Sequence, residues 1–491
     1  PFYLGYYMAG RGWWDRDSRH AYGVYQDSVG DNTRVIKWDT HTGQAQVLFD
    51  EMPGSFATLI TASNKRVAFK PVPETDELIW YSERSGWAHL YLYDLKSGTL
   101  KNAITSGEWL VRNICHVDGK RRELIIQTAG RVTDRNAYYR DICRVHMDTG
   151  ELTELIGSNH EYYMVESDEA AGISAVSPNG RFIVATRSRV DEVPVTLLID
   201  RDGKTEPWTV ETADISALPN DWQWPEPVQV KGADNQTDIY GVIYRPSGFS
   251  ADQFYPVVDL SFSFQEPAGS FTNNAQSHWR YFMGQAFAEL GFIVVAFNHR
   301  SDGLTGGAGL RDHAFNSYRD TSLPFCNMAD CVAGIRQLCE RHPYMDINRV
   351  GVASMSVPTA LTGLLIYPDL YKVGVSVNAQ ADFRFYPINY GGGVGLCDFP
   401  PYENFAHQLK GKLLMIHGML DDVLPVSGTF RVAEALQKAN KHFDMLLLPN
   451  VDHFGSDYCT RRTWDYLVEH LLGDKPPEDF DLKVTGIVSN D

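Results

Sequence analysis

The hydrophobic and polar positions follow a repeating pattern up to about residue 210. Each repeat contains an apolar run rich in β-branched and aromatic residues, followed by a polar turn that glycine closes. Such runs are typical of half-buried strands. The four runs are RVIKW (34–38), HLYLY (89–93), ICRVHM (142–147) and VTLLI (195–199).

The glycines that close these turns keep a regular period. They are Gly43, Gly98, Gly150 and Gly203, which lie 55, 52 and 53 residues apart. Each repeat has room for about four short strands, and units of this size that stack radially are typical of β-propeller blades. The pattern therefore predicts about four blades over residues 1–215. Four blades are few for a closed ring, so we expect either further blades before Pro1, which we favour, or an unusually small ring.

From about Val230, short apolar runs alternate with segments of helical spacing. This alternation predicts a mostly parallel, doubly wound sheet with helices on both faces. We expect this domain over residues 216–475, with a tail at 476–491. The predicted strands are 255–262, 292–297, 349–353, 372–377, 412–417 and 444–449, and the predicted helices cover roughly 279–290, 328–338, 427–441 and 461–472.

Three residues with complementary chemistry follow three of these predicted strands. Ser356 lies between the strand RVGVA and a predicted helix, Asp421 follows KLLMIH, and His453 follows DMLLLP. A serine hydroxyl becomes a strong nucleophile when an imidazole takes its proton, and the imidazole needs a carboxylate to orient it. The order Ser, Asp, His, each at the carboxyl end of its own strand, is that of an α/β-hydrolase. Asp422 is the rival carboxylate, and the amide of Val357 is the expected oxyanion donor.

Composition excludes several other classes of protein. The net charge is −18, and no cluster of lysine and arginine residues is present to bind a nucleic acid backbone. The seven cysteines show no metal-ligand spacing, so we expect neither a metal nor another cofactor. No apolar run is long enough to cross a bilayer, and the first residues lack the pattern of a signal peptide. We therefore expect a soluble, cytoplasmic protein.

The chain resembles the prolyl oligopeptidase family of serine peptidases, most closely its dipeptidyl peptidase IV-like branch. The resemblance rests on HPYMDINRVGVASMS around Ser356, HGMLDDV around Asp421, NVDHF around His453 and the first-half segment DELIWYSERSGWAHLYLYD. It implies hydrolysis of peptide bonds through an acyl-enzyme, often beside proline. It also places Phe383, Tyr386 and Tyr390 around the proline ring of a substrate.

Two departures from the family pattern keep other hypotheses open. Ser354 and Pro358 occupy the glycine positions of the usual Gly-x-Ser-x-Gly turn, and Phe262 stands where the family commonly supplies an oxyanion-stabilising tyrosine. The alternatives are a catalytically impaired member that acts as a binding module, and an esterase or acyl transferase. The expected partner is a peptide or a small amide or ester substrate, with a homodimer as a further expectation.

Overall fold

The computed structural model describes residues 12–26, 33–51, 69–82, 84–164, 174–261, 283–298, 328–379, 381–382 and 400–482. Within these ranges the chain forms two compact units, and the division falls between Asp214 and Ile215. No helix in the described ranges is both long and apolar enough to cross a membrane.

The first unit consists of four four-stranded antiparallel sheets in its described part. In every sheet the strands lie side by side in chain order, as hairpin connections allow. The strands of sheet 1 are β1 (Gly12–Trp14), β2 (His20–Gln26), β3 (Thr33–Asp39) and β4 (Ala45–Asp50); those of sheet 2 are β5 (Phe69–Val72), β6 (Glu77–Ser82), β7 (His89–Asp94) and β8 (Leu100–Ala103). Those of sheet 3 are β9 (Leu110–Asp118), β10 (Glu123–Ala129), β11 (Arg140–His146) and β12 (Leu152–Ile156); those of sheet 4 are β13 (Glu161–Tyr163), β14 (Phe182–Arg189), β15 (Glu192–Asp200) and β16 (Trp208–Thr212).

The repeating glycines all close the same turn, the one between the third and fourth strand of each sheet. All four have a positive φ between 64° and 73°, a conformation that costs glycine little. At Gly98 a side chain is also excluded by space, because a Cβ atom would lie 2.2 Å from the carbonyl oxygen of Leu48. The predicted apolar runs form the third strands, which confirms the four-strand repeat.

Neighbouring sheets of the first unit share apolar cores. One cluster joins sheets 1 and 2 and includes Val35 and the fully buried Trp80. A second cluster joins sheets 3 and 4 and includes Ile142 and Ile183. Sheets 1 and 2, and likewise sheets 3 and 4, thus bury against each other apolar side chains that would otherwise be exposed to water.

The second unit is built around an eight-stranded sheet of order β17-β18-β20-β19-β21-β22-β23-β24. The pairs that involve β18 are antiparallel and all others are parallel. The strands are β17 (Glu226–Lys231), β18 (Asp238–Tyr244), β19 (Tyr255–Asp259), β20 (Ile293–Asn298), β21 (Met345–Met355), β22 (Tyr371–Val377), β23 (Lys412–Gly418) and β24 (Asp444–Leu448). The helices are α1 (Met328–Arg341), α2 (Thr359–Ile366), α3 (Ser427–Lys438) and α4 (Asp457–Leu467), with a 3₁₀ helix at Tyr402–Gln408 and a π-helical turn at Val468–Leu472.

Most predicted elements of this unit are confirmed, with local differences. Residues 283–289 are helical, while the start of that predicted helix lies outside the described residues. Neither β17 nor β18 is among the predicted strands: half of the residues of β17 (EPVQVK) are polar, and a glycine interrupts the apolar run of β18 (DIYGVIY). The closing helix begins four residues earlier than predicted, at Asp457, because Ser456 caps it by accepting a hydrogen bond from the Cys459 amide.

Candidate active site

The candidate site lies at the carboxyl ends of four neighbouring parallel strands. β21, β22, β23 and β24 are adjacent in the sheet and follow one another in the chain. Ser356 comes directly after β21, Asp421 follows β23, and His453 follows β24. Because parallel strands end at a common edge, residues almost a hundred positions apart in sequence meet there.

Ser356 lies in a sharp turn between β21 and α2. Its φ is 68°, in the left-handed region that a non-glycine residue rarely adopts. Its amide donates to the carbonyl oxygen of Val377, at the end of the neighbouring strand, at 2.8 Å. A residue held in this conformation stores about 1–3 kcal/mol of strain and is characteristic of functional sites. The turn projects the serine hydroxyl above the sheet edge, where His453 lies.

The His453 ring contacts the other two residues at the same time. Its Nε2 atom lies 2.9 Å from the Oγ atom of Ser356, and its Nδ1 atom lies 2.9 Å from the Oδ2 atom of Asp421. The side chain of Asp421 is fully buried and that of His453 is 9% exposed. An ionised carboxylate can only accept a hydrogen bond, so Nδ1 carries the proton and Nε2 is left to accept the proton of the serine hydroxyl.

Asp421 is kept ionised by its hydrogen bonds. Burial alone would raise the pKa of its carboxyl group, but the His453 ring and the Leu424 and Val423 amides together hold the pKa below its ordinary value. The two amides donate to Oδ1 at 2.7 and 2.9 Å. The carboxylate is thus fixed in orientation as well as in charge. The carboxylate that bonds to the His453 ring is therefore that of Asp421 and not that of its rival, Asp422.

His417, the last but one residue of β23, is a buried second histidine beside the same carboxylate. Its Nδ1 atom lies 2.8 Å from the hydroxyl of Thr429, and its Nε2 atom lies 3.1 Å from the carbonyl oxygen of Leu424. Burial lowers the pKa of His417 below its ordinary value, which the Leu424 carbonyl opposes only in part. The ring is therefore neutral near pH 7.

Ser354 takes over a capping function at the altered turn. α2 begins after Pro358, whose ring has no side-chain acceptor to offer. The Ser354 hydroxyl, on a residue only 3% exposed, instead accepts a hydrogen bond from the Ala360 amide at 3.0 Å. The serine that replaces the usual first glycine thus satisfies one of the unpaired amides at the start of the helix.

The Val357 amide, the sequence-predicted oxyanion donor, has a partner in this structure. It donates to the carbonyl oxygen of Met355 at 2.7 Å across the Ser356 turn. Val357 itself is fully buried. An oxyanion at this position would have to share that amide with Met355 or displace the Met355 carbonyl from it.

The other sequence-predicted site residues lie outside the described residues. These are Phe262, Phe383, Tyr386 and Tyr390. Sequence reasoning also missed two buried polar residues at the site, His417 and Asn378. His417 is the last but one residue of β23 and Asn378 comes directly after β22, and both strands are almost entirely buried. A polar side chain at the end of a buried strand was the signal that could have found them.

Two family models match the chain. Residues 5–194 match the dipeptidyl peptidase IV (DPP IV) N-terminal region, and residues 278–473 match the prolyl oligopeptidase family. The first match covers sheets 1 to 3 and the first two strands of sheet 4, and the second covers the strands that lead to Ser356, Asp421 and His453.

Curated relatives are similar over much of this chain. A probable dipeptidyl peptidase 4 of Aspergillus fumigatus is 28% identical over 333 residues, which cover 65% of this chain and 40% of the relative. Dipeptidyl peptidase 8 of Homo sapiens is 22% identical over 518 residues, which cover 91% of this chain and 54% of the relative. The chain spans about half the length of the curated relatives it matches.

Solved structures show the same fold. A putative dipeptidyl aminopeptidase IV from Bacteroides ovatus matches with a TM-score of 0.75 at 20% identity, over 94% of this chain and 66% of that one. Dipeptidyl peptidase 4 of Porphyromonas gingivalis matches with a TM-score of 0.72 at 21% identity, over 92% of this chain and 62% of that one. With both family models matched in order along the chain, this protein belongs to the prolyl oligopeptidase family, in its dipeptidyl peptidase IV-like branch.

Proposed function

We propose that this chain is a serine peptidase of the dipeptidyl peptidase IV type, with Ser356 as nucleophile, His453 as general base and Asp421 as the carboxylate that orients it. The observation that carries the proposal is the position of the His453 ring, 2.9 Å from the Ser356 hydroxyl on one side and 2.9 Å from the Asp421 carboxylate on the other. Family membership makes peptide-bond hydrolysis the reaction that this geometry serves.

The proposed reaction has two steps. The Ser356 oxygen attacks the carbonyl carbon of the peptide bond while Nε2 of His453 takes the hydroxyl proton. The same proton then passes to the leaving amine as the C–N bond breaks, which leaves an acyl-enzyme. A water molecule attacks the acyl-enzyme, gives its proton to His453, and the Ser356 oxygen leaves and recovers that proton.

The oxyanion of both steps needs a hydrogen-bond donor. We assign this role to the amide of Val357, the residue that follows the nucleophile and precedes α2 by two positions. Its present bond to Met355 implies that substrate binding redirects or shares this amide. Loss of one such donor costs about 100-fold to 1,000-fold in rate.

The first unit fits the predicted blades of a β-propeller. Four successive sheets of the same four-strand order, each closed by a glycine turn at a spacing of 52–55 residues, support this assignment. We therefore propose blades over 1–215, a catalytic domain over 216–475 and a tail over 476–491.

We further propose that the substrates are peptides from which an N-terminal dipeptide is removed. The support is the name dipeptidyl peptidase that the similar curated proteins carry. A matched pair of chromogenic substrates tests it, H-Gly-Pro-p-nitroanilide and its N-acetylated form. A dipeptidyl peptidase cleaves the first and rejects the second, whereas equal cleavage of both contradicts this specificity.

Covalent labelling tests the nucleophile. Wild-type protein is treated with a fluorophosphonate probe, and the modified residue is identified by mass spectrometry. We expect the label on Ser356, no label in Ser356→Ala, and unchanged labelling in the control Ser427→Ala, whose serine is exposed at the start of α3. A folded wild type that takes no label, or takes it at another residue, contradicts the proposal.

A further inference from the structure

Asn378 lies between the two elements that carry the acid and the nucleophile. It comes directly after β22, which pairs with β21 on one side and β23 on the other. The residue is fully buried. Its φ is 46°, a left-handed conformation that asparagine tolerates better than most residues. Its own amide donates to the Ile416 carbonyl at 2.9 Å, which extends the pairing with β23 by one residue.

The Asn378 side chain bridges two separate backbone segments. Its Oδ1 atom accepts a hydrogen bond from the Gly418 amide at 2.8 Å, at the end of the strand that leads to Asp421. Its Nδ2 atom donates to the carbonyl oxygens of His453 at 2.7 Å and Asp452 at 3.2 Å. One carboxamide thus joins the strand that leads to the acid and the loop that carries the base.

The polarity of these contacts requires a carboxamide. Gly418 presents an N–H donor, while residues 452 and 453 present carbonyl acceptors, and only asparagine or glutamine combines an acceptor and two donors in one planar group. The two segments are close together: a Cβ atom on Gly418 would lie 2.3 Å from the Val451 carbonyl oxygen and 2.6 Å from that of Asp452. The longer side chain of glutamine would therefore not fit between them. Aspartate at residue 378 would turn acceptors toward two carbonyl oxygens.

The same backbone position also supports the nucleophile. Val377, the residue before Asn378, accepts the Ser356 amide at 2.8 Å. Residues 377 and 378 therefore contact the segments of all three proposed catalytic residues: Ser356 through the Val377 carbonyl, the strand before Asp421 through Oδ1, and His453 through Nδ2.

We propose that Asn378 is a positioning residue that sets the placement of the His453 ring between Ser356 and Asp421. This inference rests on the proposed function. The Asn378 side chain donates to the backbone carbonyl of residue 453, and it acts on the imidazole through that backbone. A misplacement of about 1 Å in such a constellation can cost about a hundredfold in rate. We expect the turnover step to depend on Asn378 and substrate binding to be independent of it.

The experiment compares two variants with a control. Asn378→Asp keeps the shape and reverses the polarity toward the two carbonyls. Asn378→Gly removes the side chain, accepts the positive φ without strain and leaves space for water. The control is Tyr466→Phe, which removes a 2.8 Å hydrogen bond to Asp444 at the opposite end of β24. Each variant is measured for thermal midpoint, kcat, KM and rate of fluorophosphonate labelling.

The expected result is a fall in kcat and in labelling rate of about a hundredfold in Asn378→Asp, with KM within about twofold of wild type. Asn378→Gly is expected to show a smaller loss of the same kind, and Tyr466→Phe to lose thermal stability alone. The inference is overturned if the Asn378 variants label at the wild-type rate, if KM rises while kcat is unchanged, or if Tyr466→Phe loses as much activity at an equal thermal midpoint.

A readout without activity separates the two proposals. The downfield NMR signal of the His453 Nδ1 proton reports the hydrogen bond between His453 and Asp421 whether or not the protein is active. The signal is assigned by its absence in His453→Gln. We expect Asn378→Asp to shift or broaden this signal and Tyr466→Phe to leave it in place. If wild-type protein takes no label, the proposed function fails; if the signal is unchanged in both Asn378 variants, the positioning inference fails independently.

Discussion

The Nε2 atom of His417 lies 3.6 Å from the Oδ2 atom of Asp421, the same oxygen that accepts the hydrogen bond from His453. Two imidazoles therefore lie beside the Asp421 carboxylate, and they have different hydrogen-bond partners on their far sides. His453 reaches the serine, whereas His417 is fully buried and held by the Thr429 hydroxyl and the Leu424 carbonyl. In the proposed reaction, a neutral His417 leaves Asp421 free to stabilise the charge that forms on His453.

Replacement of His417 by glutamine tests this neutral state through the pH dependence of stability. The pKa of His417 is lowered in the folded protein, so the unfolded chain binds more protons below about pH 6.5 and wild-type stability falls as the pH falls. At pH 7 we expect His417→Gln to lose about 1–3 kcal/mol of unfolding free energy. Urea unfolding at several pH values should show this difference narrowing toward pH 5.

The exposed His442 provides the matched control for that measurement. His442→Gln should leave the unfolding free energy at pH 7 at its wild-type value, because an exposed surface side chain contributes little to stability. A constant difference between wild type and His417→Gln from pH 7 to pH 5 would contradict a depressed pKa at residue 417.

Removal of the Ser354 hydroxyl should weaken the start of α2. Ser354→Ala leaves the Ala360 amide without its acceptor, and loss of a helix cap costs about 1 kcal/mol. We expect a lower thermal midpoint together with severalfold slower labelling of Ser356, because the turn and the helix start share one short segment. Ser354→Gly, which restores the usual family residue, should lose the same stability, and no change in either variant would refute the capping function.

Addition of a methyl group at Gly418 should displace the loop that carries His453. A Cβ atom there would overlap the carbonyl oxygens of Val451 and Asp452, and such overpacking costs about 1–3 kcal/mol. We expect Gly418→Ala to lower kcat by about a hundredfold, as measured on a chromogenic dipeptide substrate. Gly428→Ala, a substitution within α3, is the control, because the added Cβ atom would make an ordinary 3.5 Å contact with the side chain of Ala381.

The buried Glu77 should stabilise the first unit by joining two of its sheets. Its carboxylate accepts hydrogen bonds from Arg122 in the β9–β10 turn of sheet 3, and from Lys101 in β8 and Thr75 in the β5–β6 turn of sheet 2. Burial alone would raise the pKa of Glu77, but these hydrogen bonds hold the pKa below its ordinary value. Its contribution is therefore complete above about pH 4.3 and is lost as the pH falls through the lowered pKa.

Glu77→Gln tests that contribution by urea unfolding. We expect a loss of about 2 kcal/mol at pH 7, since hydrogen bonds to charged groups contribute more than neutral ones. The difference from wild type should shrink under acid conditions. Glu434→Gln, which breaks an exposed pair with Lys438, should give no measurable change, and an equally small effect at Glu77 would show that its contacts do not stabilise the unit.

The pattern of the chain predicted the regular elements well because each of them depends on local chemistry. Apolar runs of β-branched residues form strands wherever one or both faces are buried, and the closing glycines are needed where φ is positive. The third strands of the four sheets and the four strands around the site lie close to their predicted positions. β17 and β18 escaped prediction because half of the β17 residues are polar and a glycine interrupts β18, so neither has a long continuous apolar run.

The sequence by itself determined the repeat, the alternation of strands and helices, and the order of Ser356, Asp421 and His453, since all of these are properties of one chain read in one direction. Only the tertiary structure decided that Asn378 joins Gly418 to His453, that Ser354 caps α2 and that the Val357 amide turns toward Met355. These contacts depend on the distance and direction between backbone groups that meet when the sheet assembles. A hydrogen bond requires both to within a fraction of an ångström, and residue type alone supplies neither.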